Sequence, residues 1–576
     1  MGRWRALLAL LAIFALISTG CGGDDSDDAV EPSTAAPAVE DTAEADDAAT
    51  EAPAEEAVEE PDVQEDEPVA EPAPEPTPEP APGGDLVVAM TSTDLPGVDT
   101  VWAFTQGGEG LRWVGLQLYD GLTQFDLSQG TEPAAVAGGL AESWSSDDVV
   151  NWTFNLREGV TFHDGTTWNA EAAVFNLDRF TNPESEYFTP DLAGLAGLFT
   201  QSIASYEAVD EYTLSITTNR PWSHLPEDLA LLPMASPTAV QQLGNDGFAA
   251  SPVGSGPFMF ESLEPGARLV MAANPDYWRG APQVARLIVR PIPDATARVA
   301  ALRAGEVNWI EYASPDDVPG LRDDGFQIIT NAYSQVWRGV FDTTKPPWDS
   351  PLVREAANLA IDRASIAEFL LSNTAEPAFQ MAPRSDPGYD PDFAGYQQDL
   401  ERARELLAEA GHPDGFSTTA SVPTAGSGNM LPVPIAERVK SDLAQIGIDL
   451  EILTGEWGAM FGEYNSGQMP LGADMTMWAS TFVLPGLWGI WFHSQSPANV
   501  GRFADPDLDG LLGQVDAATD PAERVELFRQ INHQTSVGHP WLPVVNDLHP
   551  RALASNVQGF INPQSWFIDL TTVTVS

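Results

Sequence analysis

The chain has 576 residues and a formal net charge of −59, with 85 Asp and Glu against 26 Lys and Arg. That length exceeds one ordinary core, so two or more lobes are expected, and that charge excludes a general affinity for nucleic acid or anionic membrane surfaces. Lys345 and Lys440 are the only lysines, and neither lies in a phosphate-loop context. There is no GxSxG, SxxK or HExxH, the histidines are dispersed, and a single cysteine permits no internal disulfide. The expectation is a chain with no catalytic residue, no metal site and no cofactor.

Residues 1–20 read as an export signal. Arg3 and Arg5 supply a positive start, and residues 6–17 form an apolar run too short for a comfortable membrane span. Ser18-Thr19-Gly20-Cys21 resembles a lipobox, with Ser18 where leucine is usual. Cys21 is therefore expected to carry lipid and hold the mature protein to the outer face of the cytoplasmic membrane. The alternative, a secreted protein with a stray cysteine, also places it outside the cytoplasm. Residues 21–84 read as an acidic, Pro- and Ala-rich tether: 22 of residues 22–84 are acidic and none is basic or aromatic. Such a composition cannot offset the entropy of ordering, so disorder is expected, with a reach of about 195 Å as continuous polyproline II. The remainder still holds 63 acidic against 24 basic residues, which reads as a solvated acidic surface more readily than as a match to a cationic ligand.

The folded part opens with an apolar strand at 85–90, followed by Trp102, Phe104, Trp113 and the string LYDGL at 118–122. Ser145, Ser146, Asp147 and Asp148 form a turn, and Trp152, Phe154 and Leu156 alternate with Thr153 and Asn155 as in a half-buried strand. Gly159 and Asp164-Gly165 mark turns. Asn169 stands as an N-cap before a helix with Ala173, Val174, Leu177 and Phe180 on one face. A strand pair is expected at 203–209 and 212–217, a buried strand at 287–292, and a helix over 294–305 stopped by Gly305. Leu400, Ala403, Leu406, Leu407 and Ala410 share one face of a helix over 399–410. A helix at 437–446 and a strand at 449–453 join at Gly447, 505–509 reads as a loop, 522–534 as an amphipathic helix and 540–545 as a closing strand. The alternation of strands and helices indicates an α/β class.

The strings LAESW (140–144), FNLREGV (154–160) and FHDG (162–165) belong together with PVGSGPF (252–258), NPDYWRG (274–280) and the VREAANLAIDR helix (353–363). They resemble family 5 of the bacterial extracellular solute-binding proteins, the receptors of peptide- and nickel-type ABC importers, over essentially all of residues 85–560. The resemblance implies an α/β fold: a two-lobed periplasmic-binding-protein clamshell, type II and cluster C-like, with an extra subdomain. The expected division puts 85–125, 250–335 and 546–576 in the core of lobe I, 126–249 in the extra subdomain and 336–545 in lobe II. It also implies a monomer that closes on a small solute, peptide-like or an oligosaccharide, and passes it to an ABC permease and its ATPase. His163 and Asp164 are expected to support the fold. An extracellular hydrolase is the competing class, without a nucleophile or metal motif to support it. A sensor that feeds a signalling partner shares every sequence feature with the transport reading.

In peptide-binding members of the family, an aspartate three residues after a lobe II tryptophan pairs with the ligand's α-ammonium. The matching run here is Trp478-Ala479-Ser480-Thr481, so Thr481 holds that position and Asp474 falls outside the register. A threonine cannot neutralise a buried ammonium, and an unpaired buried charge is costly. The cleft is therefore expected to rely on aromatic faces. Trp102, Phe104, Trp478, Trp488 and Trp491 join Thr481 as candidate ligand-binding residues, each of which reads equally well as core.

Overall fold

The computed structural model describes residues 83–576 apart from Thr93, Ala394, Ser427 and Val483. The signal segment, Cys21 and the tether up to residue 82 lie outside the described residues. Among the described residues the strands gather into a seven-stranded, a six-stranded and a four-stranded sheet, with two small hairpins beside them.

In the seven-stranded sheet, Asp85–Met90 lies parallel between Arg286–Pro291 and Trp309–Ile310. Both faces of such a strand are covered, which is why it reads as a near-continuous apolar run; Leu86, Val88, Ala89 and Met90 are fully buried. One edge is extended by Arg268–Ala273 and Phe258–Glu264. On the other side Arg551–Leu553, from the far end of the chain, pairs with both Trp309–Ile310 and Gln327–Ile329. This sheet and its helices make lobe I.

The six-stranded sheet of lobe II is centred on Gln335–Phe341, which runs antiparallel to Met475–Thr481 on one side and to Trp541–Asp547 on the other. Every residue of that strand is buried. Phe416–Pro423 and Ile448–Gly455 complete a parallel flank. Their joint is tight: Gly415 has φ +78°, and a Cβ there would stand 1.8 Å from the carbonyl oxygen of Gly447, so glycine is required. The chain crosses between the two sheets twice, at 330–334 and 548–550.

The four-stranded sheet belongs to the segment between the first strands of lobe I. Asn151–Leu156 alternates exposed and buried residues, with Trp152, Phe154 and Leu156 inward. Asn169 caps helix Ala170–Thr181 by accepting from the Ala172 N–H. Helix Leu400–Glu409, capped by Asp399, is found where its periodicity placed it. The stretch 505–509 is not a loop. It is the cap and first turn of helix Pro506–Ala517, in which Asp505 accepts from Asp507 and Leu508 N–H and Pro506 takes the first position. The following helix is likewise longer than its apolar face suggests, Pro521–Gly538, capped by Asp520.

Three of the sequence strings meet at one buried carboxylate, and a fourth bonds alongside. Asp120 Oδ1 accepts from the Tyr277 hydroxyl at 2.9 Å, and Oδ2 from Ser255 Oγ at 2.9 Å and Trp278 Nε1 at 3.2 Å. Burial pushes the Asp120 carboxyl up to about 6 against those three bonds. His163 accepts the Gly254 N–H at Nδ1 and donates from Nε2 to Gly256 O at 3.0 Å. Asp164 accepts from Thr166 N–H and from Ser236 Oγ. A Cβ on Gly254 would stand 2.0 Å from Leu118 O, so this glycine allows the strings to close on one another. Among the described residues, no group of acids, histidines or cysteine is placed to hold a metal, and no helix is long and apolar enough to cross a membrane.

Candidate functional site

The parallel strands of each sheet run their carboxyl ends toward the two crossings, the place where open α/β sheets hold ligands. Lobe I brings the short helix Thr100–Gln106 and Gly107–Gly110 to that edge. Lobe II brings the start of Gln335–Phe341, the end of Met475–Thr481 and the loop at 424–430. Trp566, in the C-terminal tail, bridges the lobes. A Cβ on Gly108 would stand 2.4 Å from Trp566 Nε1, and one on Gly428 would stand 3.3 Å from the far edge of the same indole. A glycine on each lobe thus lets the ring fill the junction. Gln335 Nε2 donates to Gly428 O at 2.6 Å.

Behind Trp566 lies a buried ionic cluster that joins both crossings. The Arg112 guanidinium sits 4.2 Å over the Trp566 ring, donates from Nε to its carbonyl oxygen at 2.7 Å and pairs through Nη1 with Glu311. His549 Nε2 is 2.5 Å from Glu311 Oε2, and Arg551 Nε is 3.3 Å from Glu311 Oε1. Burial alone would push the Glu311 carboxyl up, but His549, Arg112 and Arg551 hold it well below the usual carboxylate range. Burial, with Arg551, drives the His549 imidazole well down. Arg112 Nη1 also lies 3.0 Å from His549 Nε2, so that nitrogen stands between a guanidinium and a carboxylate. Tyr312 stacks on it at 4.3 Å and meets the Tyr333 hydroxyl at 3.0 Å, which donates in turn to Asp547 Oδ2 at 3.0 Å. Burial pushes the Asp547 carboxyl up to about 7, against bonds from the His549 N–H and Tyr333.

The opposite rim is closed by the segment 220–228 against lobe II. Ser223 donates its N–H to Asp516 O and its hydroxyl to Val515 O, both at 2.8 Å. Arg524 donates to Ser223 O at 3.1 Å and pairs with Glu227. Between Leu198 and Trp222 on one side and Leu484, Gly486 and Ile490 on the other, the remaining space is about 10 Å³, too little for more than a water. The lobes are shut at both ends.

Of the candidate residues read from sequence, Thr481 lies opposite Gln335 at the cleft end of its strand, and its hydroxyl is buried with no hydrogen-bond partner among the described residues. Trp102 and Phe104 share the lobe I helix Thr100–Gln106. Trp102 is partly buried against Gly97, and Phe104 sets its ring edge-on to Phe199 at 5.9 Å. Trp491 is partly buried, with Phe482 at 4.8 Å and Trp541 at 5.7 Å. Trp478 and Trp488 are elsewhere: 2% and 1% exposed, they sit in the lobe's aromatic core. Trp457, Tyr464 and the Arg338 guanidinium surround Trp478, and Phe482 and Phe492 flank Trp488. Their faces are occupied by protein. Asp474 is at the distal end of its strand, where Oδ2 accepts from Thr418 Oγ, Thr419 N–H and Thr419 Oγ. Trp566, Arg112 and Gln335 were not singled out from sequence, since they come from three distant segments with no shared string.

Two α/β lobes, two crossings and a cleft at the carboxyl ends of the strands define a clamshell binding protein of the type II periplasmic class. The profile described as bacterial extracellular solute-binding proteins, family 5 Middle, matches residues 135–496, and the chain belongs to this family. It is 29% identical over 471 residues to heme-binding protein A of Haemophilus influenzae, covering 77% of this chain and 84% of that one. It is 31% identical over 444 residues to the glutathione-binding protein GsiB of Escherichia coli K12, covering 74% and 84%. The structure of the periplasmic binding protein DppA of Helicobacter pylori, in complex with the peptide STSA, superposes with a TM-score of 0.72 at 26% identity, over 86% of this chain and 98% of that one.

Proposed function

We propose that this protein is the extracytoplasmic receptor of an ABC importer, anchored by lipid on Cys21, and that its cleft takes a small peptide-like or oligosaccharide solute without gripping a free α-ammonium. Relatives named for heme and glutathione, and one solved with a peptide, support a small-molecule receptor with no reaction to catalyse. The observation that carries the reading is the buried, unbonded hydroxyl of Thr481 at the strand end where peptide-binding members place a carboxylate. A hydroxyl there serves a neutral donor or acceptor and leaves an ammonium unpaired. Trp102 and Trp491, both partly exposed, are the faces on which the solute's body rests. Binding stabilises the shut form, and a permease and its ATPase read that form by its differential affinity for ligand. Native mass spectrometry of the purified protein identifies the co-purified solute. Tryptophan fluorescence titration with free peptides, their N-acetylated forms and neutral oligosaccharides tests the grip. Tight binding of free peptides that N-acetylation abolishes overturns the reading.

A further inference from the structure

Lobe II carries a wide-mouthed surface hollow of about 590 Å³, apart from the cleft. Its wall comes from helix Pro351–Ala360, the loop before helix Leu400–Glu409 and the end of helix Pro521–Gly538. The strand Trp541–Asp547 leads from this end of the lobe to the crossing, about 20 Å at the rise of a strand.

The charged groups on the wall are Glu355, Asp390 and Asp392, and none of them has an ion-pair partner among the described residues. Arg354 and Arg363 lie behind the wall, but they donate to backbone carbonyls, those of His539 and Trp348 for Arg354 and of Pro543 and Asn358 for Arg363. Neither lines the hollow. Phe393 and Tyr396, edge to face at 6.0 Å, supply aromatic surface.

Two histidines stand on the remaining side, His533, edge-on to Phe393 at 6.1 Å, and the more buried His539. His539 is 8% exposed and takes the left-handed conformation, φ 49°, at the end of its helix. The Tyr396 hydroxyl donates its one proton to Ser536 O. The 2.7 Å contact with His539 Nδ1 therefore runs from imidazole to phenol. Burial and Arg354 push the ring down to about 4, so it is neutral at ordinary pH. Nε2 makes no hydrogen bond among the described residues, and His539 lines the hollow.

A wall of carboxylates, an unbonded imidazole nitrogen and aromatic faces calls for a ligand that donates and is positive. We propose that this hollow is a second solute site, separate from the cleft, for an organic cation: an ammonium or guanidinium head among Asp390, Asp392 and His539, with a carbon body against Phe393 and Leu359.

Agmatine is the probe, with N-butylurea as its uncharged counterpart, followed by calorimetry and saturation-transfer NMR on the full mature chain at constant ionic strength. Agmatine binds and N-butylurea does not. The double variant Asp392→Asn, Glu355→Gln, whose side chains hold no bond within the fold, weakens agmatine about tenfold. Thr481→Ala, in the cleft, leaves it unchanged. The proposal is overturned if agmatine does not bind, if magnesium chloride displaces it at equal charge, if the double variant binds it as well as wild type, or if the cleft variant loses it.

Discussion

Around Asp120 each polar side chain faces a partner supplied by another motif segment, whereas around Thr481 and Trp566 polar atoms face the junction between lobes with none. Ser255, Tyr277 and Trp278 converge on one carboxylate, and both nitrogens of His163 are bonded. Thr481 Oγ, Trp566 Nε1 and Arg112 Nη2 are buried without partners among the described residues. The difference separates two kinds of information. The residues that carry the family's motifs hold a shape, and those left unbonded at the cleft are, on the proposed reading, the ones a solute meets.

Asp120→Ala attacks the first region and should have the largest effect. It strips three buried donors of their acceptor, and lobe I should lose about 3 kcal/mol or more of stability in denaturant unfolding followed by tryptophan fluorescence. Molecules that remain folded should bind solute with wild-type affinity; a loss of affinity there would erase the division between the regions.

Asp547→Asn tests the cluster behind the cleft. The folded carboxyl sits at about 7 against an ordinary 3.8, so the fold holds its proton more tightly than the unfolded chain does. That contribution is fully present below about pH 4 and is lost as pH rises to 7. The stability advantage of wild type over the asparagine variant should therefore shrink across this range, by an amount on the order of 3 kcal/mol. Parallel unfolding curves at pH 4 and pH 7 would contradict it.

Thr481→Asp sharpens the comparison by giving the cleft the missing carboxylate. Free peptides should then gain about tenfold or more in affinity over their N-acetylated forms, measured by calorimetry. No gain would place the ammonium contact elsewhere. A smaller effect is expected at the opposite rim. Arg524→Ala removes the pair with Glu227 and the bond to Ser223 O, worth about 1 kcal/mol to the shut form, and solute release in stopped-flow should quicken about fivefold. The smallest is none: a chain that begins at Asp85 should bind solute and melt as the full mature chain does, because the tether's composition offers no packed contact.

Much of the fold was legible because helix faces and caps are local. Asp399 and the apolar face behind it announce helix Leu400–Glu409. Helix Pro506–Ala517 was misread at its start because Asp505, Pro506 and Asp507 look like loop chemistry until their N–H partners are known. Of the candidate site, Thr481 is reached through register with a family string, and Trp102 and Trp491 only as aromatic residues among others that prove to be core. Trp478 and Thr481 are three apart on one strand, so they project to opposite faces; that geometry alone separates the tryptophan from its expected role. Trp566 gives no local signal, since its significance lies in Gly108 and Gly428, far away in the chain.

The strand Arg551–Leu553 has a consequence for the order in which the molecule is made. It lies inside the lobe I sheet, bonded on one side to Trp309–Ile310 and on the other to Gln327–Ile329. The large sheet of lobe II, by contrast, uses only residues between Gln335 and Asp547. Both sheets nevertheless wait for a strand near the C-terminus, Trp541–Asp547 in lobe II and Arg551–Leu553 in lobe I. Pairings of such long sequence separation are slow to form, so neither sheet closes until nearly the whole chain is made, and a chain cut short before residue 551 lacks the strand that joins Trp309–Ile310 to Gln327–Ile329.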